Sequence, residues 1–588
     1  MAKWFVSAKK ADFDGIAKRF QISPVLARII RNREVIGEDA IEKYLYGSRK
    51  DFYDGSLMKD MDKAVEILIE KIEEGKSIRI IGDYDVDGIC STCILKKGLS
   101  VLGAGVDTVI PHRIRDGYGI NEQLVRDAEE AGIDTLITCD NGIAAREQFA
   151  LANSLGLTCI VTDHHEVPYE QVGEKRNYLL PETEAVVDPK QEDCGYPNKH
   201  ICGAGIAWKL IERLWEKAGA AVGEEKHREI LELAAVATVC DVMVLQDENR
   251  ILVKEGLASM AEAANPGLKA LFKVHDIHPG EATAYHLGFV IGPCLNATGR
   301  LDTAVRALEL LSCRDEREAV WQAAELKKLN ESRKEMTLQQ LEKAITLVEN
   351  SPWKEQSVLV VYLPDCHESL AGIIAGRLKE RYYKPVFVLT ASEEGVKGSG
   401  RSIEGYHMYE EMTRCKELFT KYGGHRLAAG LSLDEEKVEL FRQRLNENCT
   451  LTKEDMEEKI LIDVPMPLSY VTFGFLDELK LLEPFGMGNT KPVFGQKNLR
   501  FLSVRRMGKN QDMARFTVED GEKRRFLLLL FRGLEQFIED IQKKYGEDAA
   551  QTFLEKGEGD IRMDITYYPS VNTFRGRREL QFILQNWN

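Results

Sequence analysis

Between about Ser77 and Ala270 the chain alternates short, fully apolar runs with longer amphipathic stretches. Ile78-Arg79-Ile80-Ile81, Thr135-Leu136-Ile137-Thr138-Cys139 and Leu157 to Thr162 are short, rich in β-branched residues and bounded by polar or glycine positions, as buried strands are. Strands spaced by helical periods predict a mostly parallel sheet. Val358-Leu359-Val360-Val361 opens a second α/β segment, and short β-like runs return after about Lys459. Residues 314–351 hold no Gly or Pro and are rich in Glu, Lys, Leu and Ala, which predicts one long helix with a solvated face. Before the first strand, Ala27-Arg28-Ile29-Ile30 and Ile41-Glu42-Lys43-Tyr44-Leu45 have helical spacing. The expected organisation is α/β: a helical lead-in over 1–61, an α/β lobe over 62–313, a connecting helix over 314–351, a second α/β lobe over 352–455 and a β-barrel domain over 456–588.

Composition adds three limits. A chain of 588 residues is too long for one core and should divide. No apolar stretch approaches the ~20 residues of a bilayer-spanning helix, and the first ten residues lack the apolar core of a signal peptide, so a cytoplasmic protein is expected. Of the 12 cysteines, only Cys90 and Cys93 form a C-x-x-C, with no second pair at zinc-site spacing. Core packing in a reducing compartment is the expected use.

The ends of the apolar runs carry the chemistry. The first enters Gly82-Asp83-Tyr84-Asp85-Val86-Asp87-Gly88, the second Asp140-Asn141-Gly142, the third Asp163-His164-His165, and a fourth, Ala234 to Cys240, delivers Asp241. A plausible helix follows each of the first three, and ligand sites in open α/β sheets form beyond the carboxyl ends of strands. Carboxylates suit Mg2+ or Mn2+, and imidazole shifts the preference toward Mn2+ or another transition metal. Alternating Asp83, Asp85 and Asp87 can aim at two adjacent ions, with Gly88 turning the backbone sharply into the next helix. Helix caps and turn formers would explain each aspartate singly. They explain neither the paired histidines nor the recurrence.

These segments resemble the DHH phosphoesterases. Gly398-Ser399-Gly400-Arg401-Ser402 and Gly423-Gly424-His425-Arg426-Leu427-Ala428-Ala429-Gly430 resemble the associated C-terminal domain of that superfamily. Pro111-x-Arg113-x-x-Asp116-Gly117-Tyr118-Gly119, Asn296-x-x-Gly299-Arg300 and Glu483-Pro484-Phe485-Gly486-x-Gly488-Asn489 narrow the resemblance to the RecJ single-strand DNA exonucleases. It implies a DHH lobe and a DHH-associated lobe joined by the long helix, followed by an OB-like barrel. It implies two ions, Mn2+ or Mg2+, on Asp85, Asp87, Asp140, His164 and Asp241, with Asp140 bridging. Asp83 and His165 would act in catalysis, and Arg113, Arg300, Arg377, Ser399 and Arg401 would bind the strand and its 5′ end. Asn296 belongs to the same motifs. Tyr118 could stack on a base or pack. Gly423 and Gly424, expected to precede a helix, would offer amides to a phosphate, with His425 as a further donor. The implied activity is removal of 5′-mononucleotides from single-stranded DNA in repair and recombination, by a monomer working with single-strand binding protein and a helicase. Two other classes are alternatives: a phosphodiesterase for short oligoribonucleotides or cyclic dinucleotides, which would use the same metal centre, and third a non-catalytic nucleic-acid scaffold, which would be expected to have lost ligands that are all present here.

Several positions depart from the family pattern. Cys294 stands where an arginine is usual, Thr298 replaces an alanine, Gly400 stands where alanine is common, Asp116 shortens a glutamate, and His367-Glu368-Ser369 lacks a glycine two residues after the histidine. None removes a metal ligand. Cys294 bears on affinity, processivity or substrate choice.

The formal charge of −16 argues against nucleic acid in bulk, but phosphate binding is local. Between Gly495 and Arg532 there are ten basic residues, among them Arg505, Arg506 and Lys509, against four acidic ones. Phe501, Phe516 and Phe526 interleave with them, as expected of a barrel that tracks phosphates and stacks bases; a solvated basic face over core phenylalanines is the alternative.

Overall fold

The first three apolar runs are strands of one parallel sheet. In chain order the strands are β1 (Lys3–Val6), β2 (Ser77–Ile81), β3 (Gly105–Val109), β4 (Thr135–Cys139), β5 (Thr158–Thr162), β6 (Tyr169–Val172), β7 (Lys175–Tyr178) and β8 (Ala185–Val187). Strands β3-β2-β4-β5-β8 pair in that order, all parallel. A parallel sheet must be covered on both faces, and alternate side chains serve two cores. Ile78, Ile80 and Ile137 pack with the helices Val86–Val101 and Gly203–Lys217. Ile81, Leu136 and Val161 pack with the helices Glu122–Glu130 and Arg146–Ser154. This computed structural model describes residues 3–173, 175–393, 395–508, 511–556, 560–574 and 577–588, so Lys509 lies outside the described residues.

The run Ala234 to Cys240, whose element the sequence left open, is the last part of a helix, Glu224–Cys240. It is buried on nearly every side, so it carries no polar face to reveal its period, and its alanines favour helix. One expectation fails here: after His165 the chain enters the β6–β7 hairpin and β8 rather than a helix.

The connecting helix is Glu316–Glu349, capped by Asp315, whose side chain accepts from the amides of Arg317 and Glu318. It leads into β9 (Leu359–Tyr362), β10 (Val386–Ser392), β11 (Gly395–Arg401), β12 (Phe419–Gly424) and β13 (Ala428–Leu433), ordered β12-β13-β11-β10-β9. Only β9 and β10 are parallel neighbours in that sheet.

The chain divides into two compact units: Ser48–Met456, and Met1–Gly47 together with Glu457–Asn588. In the second, β1 pairs in parallel with β14 (Lys459–Ile462), and Arg33 makes a buried two-pronged ion pair with Asp463 at 2.7 and 3.0 Å. β15 (Val464–Pro465) leads to β16 (Phe494–Met507), β17 (Met513–Glu519), β18 (Arg525–Leu530), β19 (Ile561–Phe574) and β20 (Arg577–Trp587). The order β16-β17-β18-β20-β19, with β19 returning to β16, closes a five-stranded barrel. Phe501 and Phe516 lie wholly inside it against Phe537, and Phe526 is half-buried beside Phe582. The first two are therefore core and unavailable for stacking on bases. Among the described residues no helix is long and apolar enough to cross a membrane.

Candidate metal centre and substrate cleft

The tips of β2, β4 and β5 converge with the end of the helix Glu224–Cys240. Asp83 follows β2 and is buried, its Oδ1 without a hydrogen-bond partner. Asp85 caps the helix Val86–Val101: one oxygen accepts from the amides of Asp87 and Gly88 at 2.9 and 3.1 Å, which leaves the other free. Asp87, in the first turn, accepts from the amides of Gly203 and Ala204, both at 2.7 Å, where the helix Gly203–Lys217 begins. Asp140 leaves β4 with φ 62° and lies 3.0 Å from His164 Nε2. That nitrogen is also 3.6 Å from Asp87 and 3.7 Å from Asp241, the C-cap of its helix. Three sets of three donors each lie within 4.8 Å of one another: Asp83, Asp85 and Asp140; Asp87, His164 and Asp241; Asp140, His164 and His165.

Small residues let these groups meet. A Cβ at Gly88 would fall 2.4 Å from the Asp83 carbonyl oxygen, so this glycine permits a close approach inside a helix rather than the sharp turn expected of it. A Cβ at Gly203 would fall 2.8 Å from the Cβ of Asp140. Asn141, fully buried, donates to the carbonyls of Ile81 and Cys139 and so ties the ends of β2 and β4 together. Asp163 is the fixed point behind the histidines: it accepts from the amides of Ile143, His164 and His165, and lies 2.7 Å from His165 Nδ1. Gly203 did not stand out in the sequence, and Asp163 was named only within its motif, without a role of its own. A Gly-Ala-Gly run opening a helix at Gly203 was the available signal for the first.

The electrostatics call for a cation. Burial, then the charge of neighbouring aspartates, raises Asp83 and Asp140 well above the carboxylate range. Burial also raises Asp87, and burial followed by Asp87 and Asp85 raises Asp241 to about 8. Burial keeps His164 below its ordinary value, as a neutral imidazole able to ligate. His165 behaves oppositely. Burial would lower it, but the Asp163 hydrogen bond and surrounding carboxylates outweigh that and hold it at about 9. Burial likewise pushes Asp163 up, and its contacts with His165 bring it below the usual range. Clustered carboxylates can all ionise only with a compensating cation, and oxygen donors joined by imidazole fit Mn2+ or Mg2+.

Beside this cluster lies a cleft of about 450 Å3, lined by residues of both lobes, including Arg113, Tyr118, Ser399 and Gly423. Arg113 lies over the Tyr84 ring at 4.7 Å. The Tyr118 hydroxyl donates to the Asp140 carbonyl at 2.8 Å and is 3.3 Å from His165 Nδ1. Arg300, on the helix Gly292–Leu301 with half-buried Asn296, donates to the Ser369 carbonyl across the lobes at 2.8 Å. Arg401 donates to the Gly400 carbonyl. Gly423, Gly424 and His425 do not precede a helix: they form the exposed end of the β12–β13 hairpin, with β12 at the sheet edge. Arg377 is exposed and paired with Glu380 at 3.3 Å, outside the cleft lining. Arg505 and Arg506 lie on β16 of the barrel unit. Arg506 pairs with Glu535 at 3.1 Å, whereas Arg505 stands opposite Arg515 across the β16–β17 ladder. Arg500, Arg524 and Arg525 also face acidic partners, so part of the basic tract is neutralised.

Family models match along most of the chain: the DHH family N-terminal domain over residues 77–238, the DHHA1 domain over 355–450 and the RecJ OB domain over 462–586. The single-stranded-DNA-specific exonuclease RecJ of Escherichia coli (strain K12) is 32% identical over 591 residues, spanning 96% of each chain. The chain belongs to the RecJ family. The RecJ of Bacillus subtilis (strain 168) is 36% identical over 88% of the chain, which spans only 64% of that relative's length. The crystal structure of RecJ from Thermus thermophilus in complex with Mn2+ superposes with a TM-score of 0.79 at 26% identity, covering 100% of this chain and 79% of that one. A Mg2+ complex from the same organism gives 0.74 at 25%, covering 100% and 78%.

Proposed function

We propose that the chain is a metal-dependent exonuclease that removes 5′-mononucleotides from single-stranded DNA. One observation carries the reading: carboxylates and imidazoles with too much buried negative charge stand beside a cleft lined by Arg113, which has no carboxylate partner among the described residues. Asp83, Asp85 and Asp140 would hold one ion, and Asp87, His164 and Asp241 the other. Asp140, 3.0 Å from His164 and grouped with Asp83 and Asp85, can serve both. When bound, such a pair supplies an activated water and charge stabilisation for an in-line phosphoryl displacement.

The residues divide the remaining work. The amides of Gly203 and Ala204 lock Asp87, and His164 fixes Asp140, so the donors are preorganised. Asp163 raises His165, which stands at about 9 in the metal-free protein. The His165 imidazolium can therefore steady phosphoryl charge and give a proton to the departing 3′ oxygen. Arg113 and Arg401, half-buried beside Ser399, bind the 5′ phosphate, and Arg300 binds the strand. Arg505 of the barrel unit adds a phosphate contact that takes no part in the chemistry. The test is a digestion panel with Mn2+: labelled single strands, blunt duplex, RNA oligomers and cyclic dinucleotides. Preferred cleavage of cyclic dinucleotides or of duplex would overturn the reading.

A further inference from the structure

The helix Glu316–Glu349 carries a guanidinium that no carboxylate among the described residues neutralises. Arg333 is half-buried, and its Nε donates to Asn330 Oδ1 at 3.1 Å. Asn330 is itself 1% exposed, and its Nδ2 donates to Cys294 Sγ at 3.4 Å. His275 Nε2 lies 3.2 Å from the same sulfur. This run of contacts ties Arg333 to the helix Gly292–Leu301, which also carries Arg300. Anchoring through Nε leaves both terminal nitrogens of the planar fork available.

The surroundings make that fork unusual. Two arginines on neighbouring helices find acids: Arg306 pairs with Asp302 at 2.6 Å and Arg377 with Glu380 at 3.3 Å. Arg113, Arg300, Arg333 and Arg401 have no such partner among the described residues, although acidic residues outnumber basic ones by 95 to 79. They also act on one another. Burial, followed by the charges of Arg113, Arg333 and Arg401, brings Arg300 down to about 10. Burial lowers Arg333 too, and the nearby charge of Arg377 adds to the effect. Desolvated like charges are unfavourable unless an anion joins them. One terminal phosphate, at most a dianion, leaves two of the four guanidiniums uncompensated.

We propose that Arg333, together with Arg300, forms a second phosphate subsite, which takes a further phosphate of the nucleic-acid strand beyond the one held by Arg113 and Arg401. The proposal rests on the nuclease reading and extends it to the helix that joins the lobes. Cys294 enters as a positioning residue: its sulfur holds Asn330, and Asn330 holds Arg333.

The experiment is steady-state cleavage of a labelled single strand of about twenty nucleotides with Mn2+, across a salt series, by full-length wild type, Arg333→Gln, Arg333→Lys and Arg306→Gln. Charge-assisted contacts are worth about 1.5–3 kcal/mol, so Arg333→Gln should lower kcat/KM by tenfold or more through KM, with kcat within about threefold. Its salt slope should flatten by about 0.7, the value for one lost phosphate contact on a single strand. Arg333→Lys should keep the slope and recover part of the affinity, and Arg306→Gln should match wild type. Equal KM and slope for wild type and Arg333→Gln would overturn the subsite, as would equal defects in the Gln and Lys variants. A wild-type protein that cleaves no single strand would instead sink the nuclease reading itself.

Discussion

Gly203 is the most economical place to disturb the metal centre without removing a donor. In Gly203→Ala the new Cβ would meet the Asp140 Cβ at 2.8 Å, its Cα at 3.1 Å and its Cγ at 3.2 Å. Unstrained carbon contacts lie at about 3.5–4.0 Å, so the start of the helix Gly203–Lys217 and the tip of β4 must separate by roughly 0.7 Å or more. Asp140 has little freedom to yield, since its backbone already sits at φ 62°. The shift also reaches Asp87, because the Gly203 amide holds one of its oxygens at 2.7 Å. Overpacking of this kind costs about 1–3 kcal/mol of stability, and a ~1 Å misplacement of catalytic groups can cost about a hundredfold in rate. The expected result is a folded protein with kcat on a 5′-labelled strand reduced between tenfold and a hundredfold, and a Mn2+ requirement shifted to higher concentration. Gly105→Ala, whose Cβ would meet nothing within 4 Å, is the control and should behave as wild type. Wild-type kcat and an unchanged Mn2+ titration in Gly203→Ala would refute the geometry.

Other outcomes follow from the same contacts. Asp140→Ala should lose well over tenfold in turnover at saturating Mn2+, yet melt no lower than wild type in chelator, because it removes a buried like charge; near wild-type turnover would remove Asp140 from the centre. Asp163→Asn should free His165 from its carboxylate, so that the alkaline fall in activity moves down in pH toward the ordinary histidine value; an unmoved pH profile would deny His165 its acid role. In chelator, raised folded-state values at Asp241 (about 8) and His165 (about 9) mean that protons bind the folded protein more tightly, so melting temperature should fall from pH 6 to pH 8. Mn2+ should reduce that fall, since it favours ionised carboxylates, and a rise in chelator over the same range would contradict the assignment. Arg505→Ala should weaken binding of long strands and flatten its salt slope while sparing very short ones, whereas Arg401→Ala should slow both; equal losses at both lengths for Arg505→Ala would end the barrel's strand-binding role.

The metal centre was readable because strand tips concentrate chemistry: three short apolar runs each end on a carboxylate or imidazole, and local pattern suffices to find them. Asp241 was placed in the cluster although its element is a helix, because apolar continuity marks burial without distinguishing strand from helix. Gly203 was invisible, and the role of Asn141 was hidden though its motif was named, for a different reason. Their work is done across the sheet, by contacts between residues sixty or more positions apart, which no window of sequence contains. The barrel phenylalanines alternate with basic residues, and alternation alone does not say which face is inside. Closure of β19 onto β16 turned Phe501 and Phe516 inward. Likewise the pairing of β1 with β14 joins segments more than 450 residues apart, so the membership of residues 1–47 in the barrel unit required the fold.

The most direct measurement is a time course on one single-stranded oligonucleotide bearing different labels at its two ends, with Mn2+, run beside the same strand in blunt duplex. The expected result is prompt release of the 5′ label as a mononucleotide, later shortening toward the 3′ label, and a duplex left essentially intact, with all cleavage abolished by chelator. Release of the 3′ label first, or faster digestion of the duplex, would contradict a single-strand exonuclease working from the 5′ end.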